Sequence, residues 1–180
     1  MTARRAGRSY ERIDADTHDR LARIARADGA RFLERRPEYK GRLICVALCQ
    51  GSGLHYVDVA RRRRLNGVKD FDVWSFFAAI PGLRFPADRR HVHVDFGRSK
   101  FGRWSNEPSR FRHFEGRRVD LFMRTLQAPV GADPVAPLRE WLQEGRTGSQ
   151  RALAAKGVVL IQPRRLRGMI VWEARTERQG

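Results

Sequence analysis

Two aspartates one residue apart are the first feature of this sequence that indicates chemistry. Asp70 and Asp72 lie at the start of the apolar run FDVWSFFAAI, which has the composition of a β-strand. Side chains at positions i and i+2 of a strand lie on one face, so both carboxylates project together while Phe71 and Val73 point into the core. Carboxylate oxygens are hard ligands that favour Mg²⁺ or Mn²⁺. The pair therefore predicts a divalent-metal site.

A glycine-rich turn precedes this pair in the chain. Gly51, Ser52 and Gly53 follow the continuous apolar run LICVALCQ, which predicts a strand buried on both faces of a sheet. Because glycine has no side chain, a ligand can approach this backbone closely, and the amides that begin a following helix attract an anion. The turn is thus a candidate anion-binding site.

A third carboxylate lies further along the chain. Asp120 stands between Val119 and Leu121 in the strand-like run RVDLFMRTL. The three features occur in the order of a Gly-Ser turn, an Asp-x-Asp pair and an aspartate flanked by apolar residues. This order resembles the DNA-polymerase-beta-like nucleotidyltransferase superfamily. The resemblance covers roughly residues 41–125.

The resemblance implies a fold, a reaction and roles for the aspartates. The implied fold is α/β (α+β), a mixed β-sheet flanked by helices. The implied reaction is metal-dependent transfer of a nucleotidyl group from an NTP to a hydroxyl. Asp70, Asp72 and Asp120 would bind two metal ions, Mg²⁺ or Mn²⁺, and Asp120 would help to activate the acceptor.

The resemblance also implies where the nucleotide binds. The turn at Gly51, Ser52 and Gly53 would hold the triphosphate, and the Ser52 hydroxyl would donate a further hydrogen bond to it. Lys69, which directly precedes the aspartate pair, would neutralise part of the phosphate charge.

The spacing of the carboxylates departs from a compact version of this pattern. Asp72 and Asp120 are 48 residues apart, which is long for neighbouring strands and predicts an insertion at about residues 84–118. Asp95 lies inside that segment, in the strand-like run HVHVDFG, and is an alternative third ligand. Asp120 is preferred because apolar residues flank it.

Residues 84–118 also form the densest basic and aromatic segment, with ten Arg or Lys against four acidic residues. Basic side chains neutralise phosphates and aromatic rings stack on bases, so the segment indicates nucleic-acid binding. Phe101 is one candidate for stacking on a base, unless the aromatic residues anchor the loop instead. The principal candidates for nucleic-acid binding are Arg98, Lys100, Arg103 and Trp104.

The whole chain is strongly basic. Among 180 residues, 37 Lys or Arg stand against 20 Asp or Glu, for a net charge of +17, which makes nucleic acid the expected acceptor or ligand. The apolar fraction of 41% excludes a fully disordered chain. No stretch approaches the roughly 18 apolar residues of a membrane helix, so we expect a cytoplasmic protein that binds no membrane. Its small size favours a homodimer or a protein partner.

Hydrophobic periodicity predicts a single domain over residues 16–180, after a flexible basic arm at residues 1–15. The alternation of strands with helices indicates a mixed sheet with helices packed against it. Helices are expected at residues 16–36 and 54–63, from Asp133-Pro134 to Gly145 and from Thr147 to Gly157. Strands are expected at residues 42–50, 71–80, 91–96 and 118–126 and in the runs VVLIQP and MIVWEA.

Two other interpretations compete with nucleotidyl transfer. His91, His93 and Asp95 would share one face of a strand, and this H-x-H-x-D run resembles the first metal motif of metallo-β-lactamase-like hydrolases, although Phe96 stands where a histidine normally follows. The other alternative is a non-catalytic RNA- or DNA-binding protein that uses residues 84–118 and the basic arm. Its carboxylates would be structural, with Asp120 paired to a neighbouring arginine of the same strand.

Overall fold

The computed structural model of the chain describes residues 7–86 and 91–174. Within these ranges no helix is both long and apolar enough to cross a membrane. Short 3-10 turns lie at Pro37–Tyr39, Ser109–Phe111 and Arg164–Leu166. The helices and strands, in chain order, are α1 Ala15–Arg35, β1 Leu43–Cys49, α2 Gln50–Ala60, β2 Phe71–Ala78, β3 Val92–Asp95, β4 Arg118–Leu126, α3 Val135–Glu144, α4 Gly148–Ala154, β5 Gly157–Gln162 and β6 Ile170–Glu173.

The six strands form one mixed sheet in the order β3-β4-β2-β1-β5-β6. Strands β2 and β4 run parallel, and the other neighbouring pairs are antiparallel. The predicted mixed sheet flanked by helices is therefore confirmed, in the α+β class. The insertion between the two parallel strands contains β3, which forms an edge of the sheet.

Apolar side chains cover both faces of the sheet. On one face, Leu21 and Ala25 of α1 pack with Val46 and Val73 of the central strands. On the other face, helices α3 and α4 pack against alternate residues of the same strands, such as Trp74. Burial on both faces explains why β1 and β2 are continuous apolar runs rather than alternating ones.

Helix α2 begins earlier than the sequence pattern predicts. The expected start was residue 54, but the helix begins at Gln50 and includes all of the glycine-rich turn. Packing explains the difference, because a Cβ atom on Gly53 would lie 2.3 Å from the carbonyl oxygen of Gly157 in β5. Gly53 thus allows α2 to touch the sheet, and this contact outweighs the low helix propensity of glycine.

Part of the predicted N-terminal arm packs against the domain. Residues 1–6 of the expected arm lie outside the described ranges, but Ser9 forms a β-bridge with Val68 and the Ile13 side chain is buried. The guanidinium of buried Arg117 donates hydrogen bonds to the carbonyl oxygens of Gly7 and Phe101. From residue 7 onward, the expected flexible arm is part of the folded domain.

The basic insertion is folded onto the sheet by its own aromatic residues. Phe101 is 2% exposed and packs beside Phe71, which favours the alternative that the aromatic residues anchor the loop over stacking of Phe101 on a base. The Asp95 carboxylate accepts hydrogen bonds from the backbone N–H groups of residues 97, 115 and 116, which closes the loop on itself. These hydrogen bonds satisfy the Asp95 carboxylate without a metal ion.

The contact between α2 and β5 makes Gly53 sensitive to substitution. We expect Gly53→Ala to lower the free energy of unfolding by about 1–3 kcal/mol, because the added methyl group meets backbone atoms that cannot move independently. The control is Gly29→Ala in α1, where the methyl group would meet no atom within 4 Å and should stabilise the helix by up to about 1 kcal/mol. Urea unfolding of both variants measures the difference; equal effects would contradict the close contact.

Candidate active site

The three predicted aspartates lie at the start of the two parallel strands. Asp72 and Asp120 are direct partners in the pairing of β2 with β4, and Asp70 lies just before β2 begins. Paired residues of neighbouring strands present their side chains on the same face of a sheet. The long sequence separation between Asp72 and Asp120 is thus closed by strand pairing.

The pairing extends into a row of four side chains across the sheet. Cys49 of β1 is opposite Asp72, and His93 of β3 is opposite Asp120. A second, aromatic row lies beside this one. The ring of Trp74 stacks on that of Phe122 at 4.4 Å, and Phe122 stacks on His91 at 4.2 Å, so a rigid apolar surface borders the acidic residues.

The Arg118 guanidinium joins the acidic side chains of the site. Its Nε donates to Asp120 Oδ1 at 2.7 Å, its Nη2 donates to Asp70 Oδ2 at 2.9 Å, and its Nη1 donates to Glu107 Oε2 at 3.3 Å. Burial would by itself lower the pKa of Arg118, but the hydrogen bond to Asp120 and the negative charges around it raise the pKa instead. Arg118 therefore remains a fixed cation at the centre of the site.

The Asp72 carboxyl group is buried close to two other acidic side chains. Burial, together with the negative charges of Asp70 and Asp120, raises the pKa of Asp72 to about 8, against smaller opposing effects of Lys156 and Arg118. At neutral pH this carboxyl group is therefore mostly protonated. A divalent cation would offset the repulsion among the three acidic groups, whose oxygens are the donors that Mg²⁺ and Mn²⁺ prefer.

The aspartates share a face but are not gathered around one point. Asp70 and Asp120 both turn towards Arg118. Among the described residues, the cluster that could hold a metal ion consists of His91, His93 and Asp120. One ligand atom from each of these residues lies within 4.8 Å of the others. The sequence pattern that predicted the aspartates did not identify this cluster or assign Arg118 a role in the site.

The Gly-Ser turn lies directly against the aspartate pair. Ser52 is buried, and its Oγ donates to the carbonyl oxygen of Cys49 at 3.0 Å and accepts from the N–H of Asp72 at 3.2 Å. The hydroxyl proton is therefore already used and is not free for the predicted bond to a phosphate. The carbonyl oxygen of Gly51 accepts from Asn66 Nδ2 at 3.1 Å. Ser52 instead links the first turn of α2 to the backbone of β2 at Asp72.

Lys69 connects the acidic site to the insertion. Its Nζ lies 3.8 Å from Asp70 Oδ2 and 4.3 Å from the centre of the Trp104 ring. One face of that ring is thus covered by a cation rather than open to a base. Of the other three predicted nucleic-acid contacts, Lys100 pairs with Asp14, Arg103 donates to the Arg112 carbonyl oxygen, and Arg98 is 84% exposed beside Glu115.

Comparison with known proteins returns no relative of this chain. It matches no protein-family model, and no curated protein and no solved structure matches it. The functional interpretation therefore depends on the residues and the geometry of the site.

Burial of Asp72 predicts an unusual dependence of stability on pH. Between about pH 4 and pH 8, an unfolded chain has this carboxyl ionised while the folded metal-free protein keeps it protonated, so its contribution to stability falls as pH rises. Asp72→Asn should remove this decline. Urea unfolding in the presence of a chelator at about pH 5 and about pH 8 measures it, with Asp16→Asn at an exposed position of α1 as the control. An equal decline in both variants would argue against the burial effect.

The role of Arg118 predicts a large loss of stability when its charge is removed. Arg118→Gln leaves Asp70, Asp120 and Glu107 without their shared cation, and we expect the free energy of unfolding to fall by about 3 kcal/mol in metal-free buffer. The matched Arg98→Gln change affects an exposed side chain and should cost less than about 0.5 kcal/mol. Chemical denaturation of both variants makes the comparison, and a small effect of Arg118→Gln would show that the acidic residues do not depend on it.

Proposed function

We propose that the protein is a metal-dependent nucleotidyltransferase that moves a nucleotidyl group from an NTP to a hydroxyl of a nucleic acid. The observation that carries the proposal is the parallel register of β2 and β4, in which Asp72 lies beside Asp120 with Asp70 on the same face. The same order of turn, aspartate pair and third aspartate underlies the resemblance to DNA-polymerase-beta-like nucleotidyltransferases. The buried contact between Ser52 and Asp72 supports it by joining the turn to the pair.

The carboxylates are the residues that would hold the metal ions. Mg²⁺ or Mn²⁺ held by Asp70, Asp72 and Asp120 would supply activation of the acceptor hydroxyl and stabilisation of charge on the phosphates. Asp72 gives up its proton more readily when a cation is near, because the added positive charge opposes the repulsion from the other aspartates. Arg118 keeps Asp70 and Asp120 on this face.

Positive groups around the acidic residues favour a nucleotide triphosphate. Helix α2 begins immediately after Cys49, the residue opposite Asp72, so the partial positive charge of its first turn lies at the end of the acidic row. Lys69 lies on the other side of the pair, beside Asp70. A triphosphate held between these groups would place its charge near both the cations and the proposed metal ligands.

The charge of the whole protein favours a nucleic-acid acceptor. A net charge of +17 attracts the phosphate backbone at long range, and exposed arginines of the insertion, such as Arg98, lie on the same domain as the site. The insertion also contributes Glu107 and Trp104 to the surroundings of the aspartates. Binding of nucleic acid to this segment would thus bring a hydroxyl group towards the carboxylates.

A non-catalytic nucleic-acid-binding protein is the second candidate. The observation that favours it is the pairing of Asp120 and Asp70 with Arg118, which neutralises both carboxylates without a metal ion. Under this alternative the acidic row stabilises the sheet and the basic surface alone determines function. Metal dependence separates the two candidates.

Labelling of RNA tests the proposed reaction. Purified protein incubated with each α-labelled NTP, Mg²⁺ or Mn²⁺ and total RNA should incorporate label and release pyrophosphate. Replacement of both paired aspartates, Asp70→Asn with Asp72→Asn, should lower the rate by at least about a hundredfold, because the metal ligands are lost. Asp16→Asn, an exposed change of the same type in α1, is the matched control and should keep the wild-type rate.

The opposite result identifies the second candidate. If no NTP gives label while wild type and the double variant bind RNA equally without metal, the carboxylates are structural. In that case Arg98→Ala should weaken RNA binding and flatten its dependence on salt concentration, because one phosphate contact is lost.

A further inference from the structure

Two histidines and an aspartate meet at the open edge of the sheet. His93 Nδ1 lies 2.8 Å from Asp120 Oδ1, and His91 Nε2 lies 3.9 Å from Asp120 Oδ2. One ligand atom from each of the three residues lies within 4.8 Å of the others. Strand β3 is the outermost strand on this side, so solvent reaches the group: His91 is 40% exposed and His93 25%.

The fold holds these side chains in place before any ligand arrives. His93 is opposite Asp120 in the antiparallel pairing of β3 with β4, and His91 lies two residues earlier on the same face. The ring of His91 stacks on Phe122, and the ring of His93 contacts the edge of Phe111 at 4.9 Å. Preorganised ligands bind a metal ion with a smaller entropy cost than flexible ones.

We infer that His91, His93 and Asp120 form a binding site for a divalent transition-metal ion, with Zn²⁺ as the principal candidate. Two imidazole nitrogens and one carboxylate oxygen form a three-residue ligand set known for zinc, which leaves a fourth position for water or another ligand. Imidazole suits Zn²⁺ and related ions, whereas Mg²⁺ prefers oxygen ligands alone. The site therefore differs in metal preference from the three aspartates.

The third ligand is not the one that the H-x-H-x-D pattern suggests. Asp95 lies on the same strand as His93, and His91 directly precedes this strand, but the Asp95 carboxylate accepts hydrogen bonds from the backbone of the insertion. Asp120 of the neighbouring strand takes that place through strand pairing. The proposed site thus depends on the register of β3 with β4 and not on the local sequence motif.

Asp120 belongs to both the proposed zinc site and the aspartate group. A Zn²⁺ ion on the two histidines would draw on an Asp120 oxygen that Arg118 also contacts. Binding of Zn²⁺ does not rest on nucleotidyl transfer, but if transfer occurs, Zn²⁺ should inhibit it in competition with Mg²⁺. Zn²⁺ bound at the edge strand would then determine whether Asp120 is available to bind Mg²⁺.

Calorimetric titration of the metal-free full-length chain with Zn²⁺ tests the site. We expect one tightly bound ion per chain, and a loss of affinity of at least about tenfold in each of His91→Ala, His93→Ala and Asp120→Asn. His113→Ala removes an exposed histidine outside the cluster and should leave the affinity unchanged. Mg²⁺, titrated as the comparison ion, should show no dependence on His91 or His93.

Co²⁺ provides a second readout that a change in folding would not reproduce. Its visible absorption should gain intensity on binding to wild type and to His113→Ala, and should not do so with His93→Ala. Circular dichroism checks that each variant is folded. Equal Zn²⁺ affinity in wild type and in the His91→Ala/His93→Ala double variant overturns the site, whatever the RNA-labelling experiment shows.

Discussion

Two carboxylates on neighbouring parallel strands bring negative charge into a region that water barely reaches, and the surrounding structure depends on how this charge is neutralised. Asp72 and Asp120 are those partners, and Asp70 adds a third charge close by. Arg118 supplies the balancing cation from within the same strand as Asp120. Asp72 retains its proton mainly because it is buried, and the neighbouring carboxylates, which one guanidinium cannot neutralise fully, add to this effect.

The insertion is part of this electrostatic arrangement as well as a basic surface. It contributes Glu107 to the contacts of Arg118, and the Phe111 ring lies beside both Arg118 and His93. Its aromatic residues therefore serve mainly to fix the insertion against the sheet, which explains why Phe101 is buried rather than exposed to a nucleic acid. A polyanion would therefore bind mainly to the exposed charged side chains around the site.

The proposed site combines two kinds of potential metal ligand on one face of the sheet. Oxygen ligands from β2 and β4 favour Mg²⁺ or Mn²⁺, while the histidines of the edge strand favour a softer ion. Asp120 stands between the two groups because β4 pairs with β2 on one side and with β3 on the other. Because of this position, Asp120 is shared by the proposed zinc site and the proposed catalytic site.

Local patterns in the sequence determined the elements and part of the site. The period of two along a strand placed Asp70 and Asp72 on one face, and the helix expected from Thr147 agrees with the capping box that Thr147 and Gln150 form at the start of α4. Strand pairing alone decided that Asp120 lies opposite Asp72 and that His93 joins it. The reason is physical: periodicity and capping depend on residues a few positions apart, whereas register depends on which distant strands bury their apolar faces together.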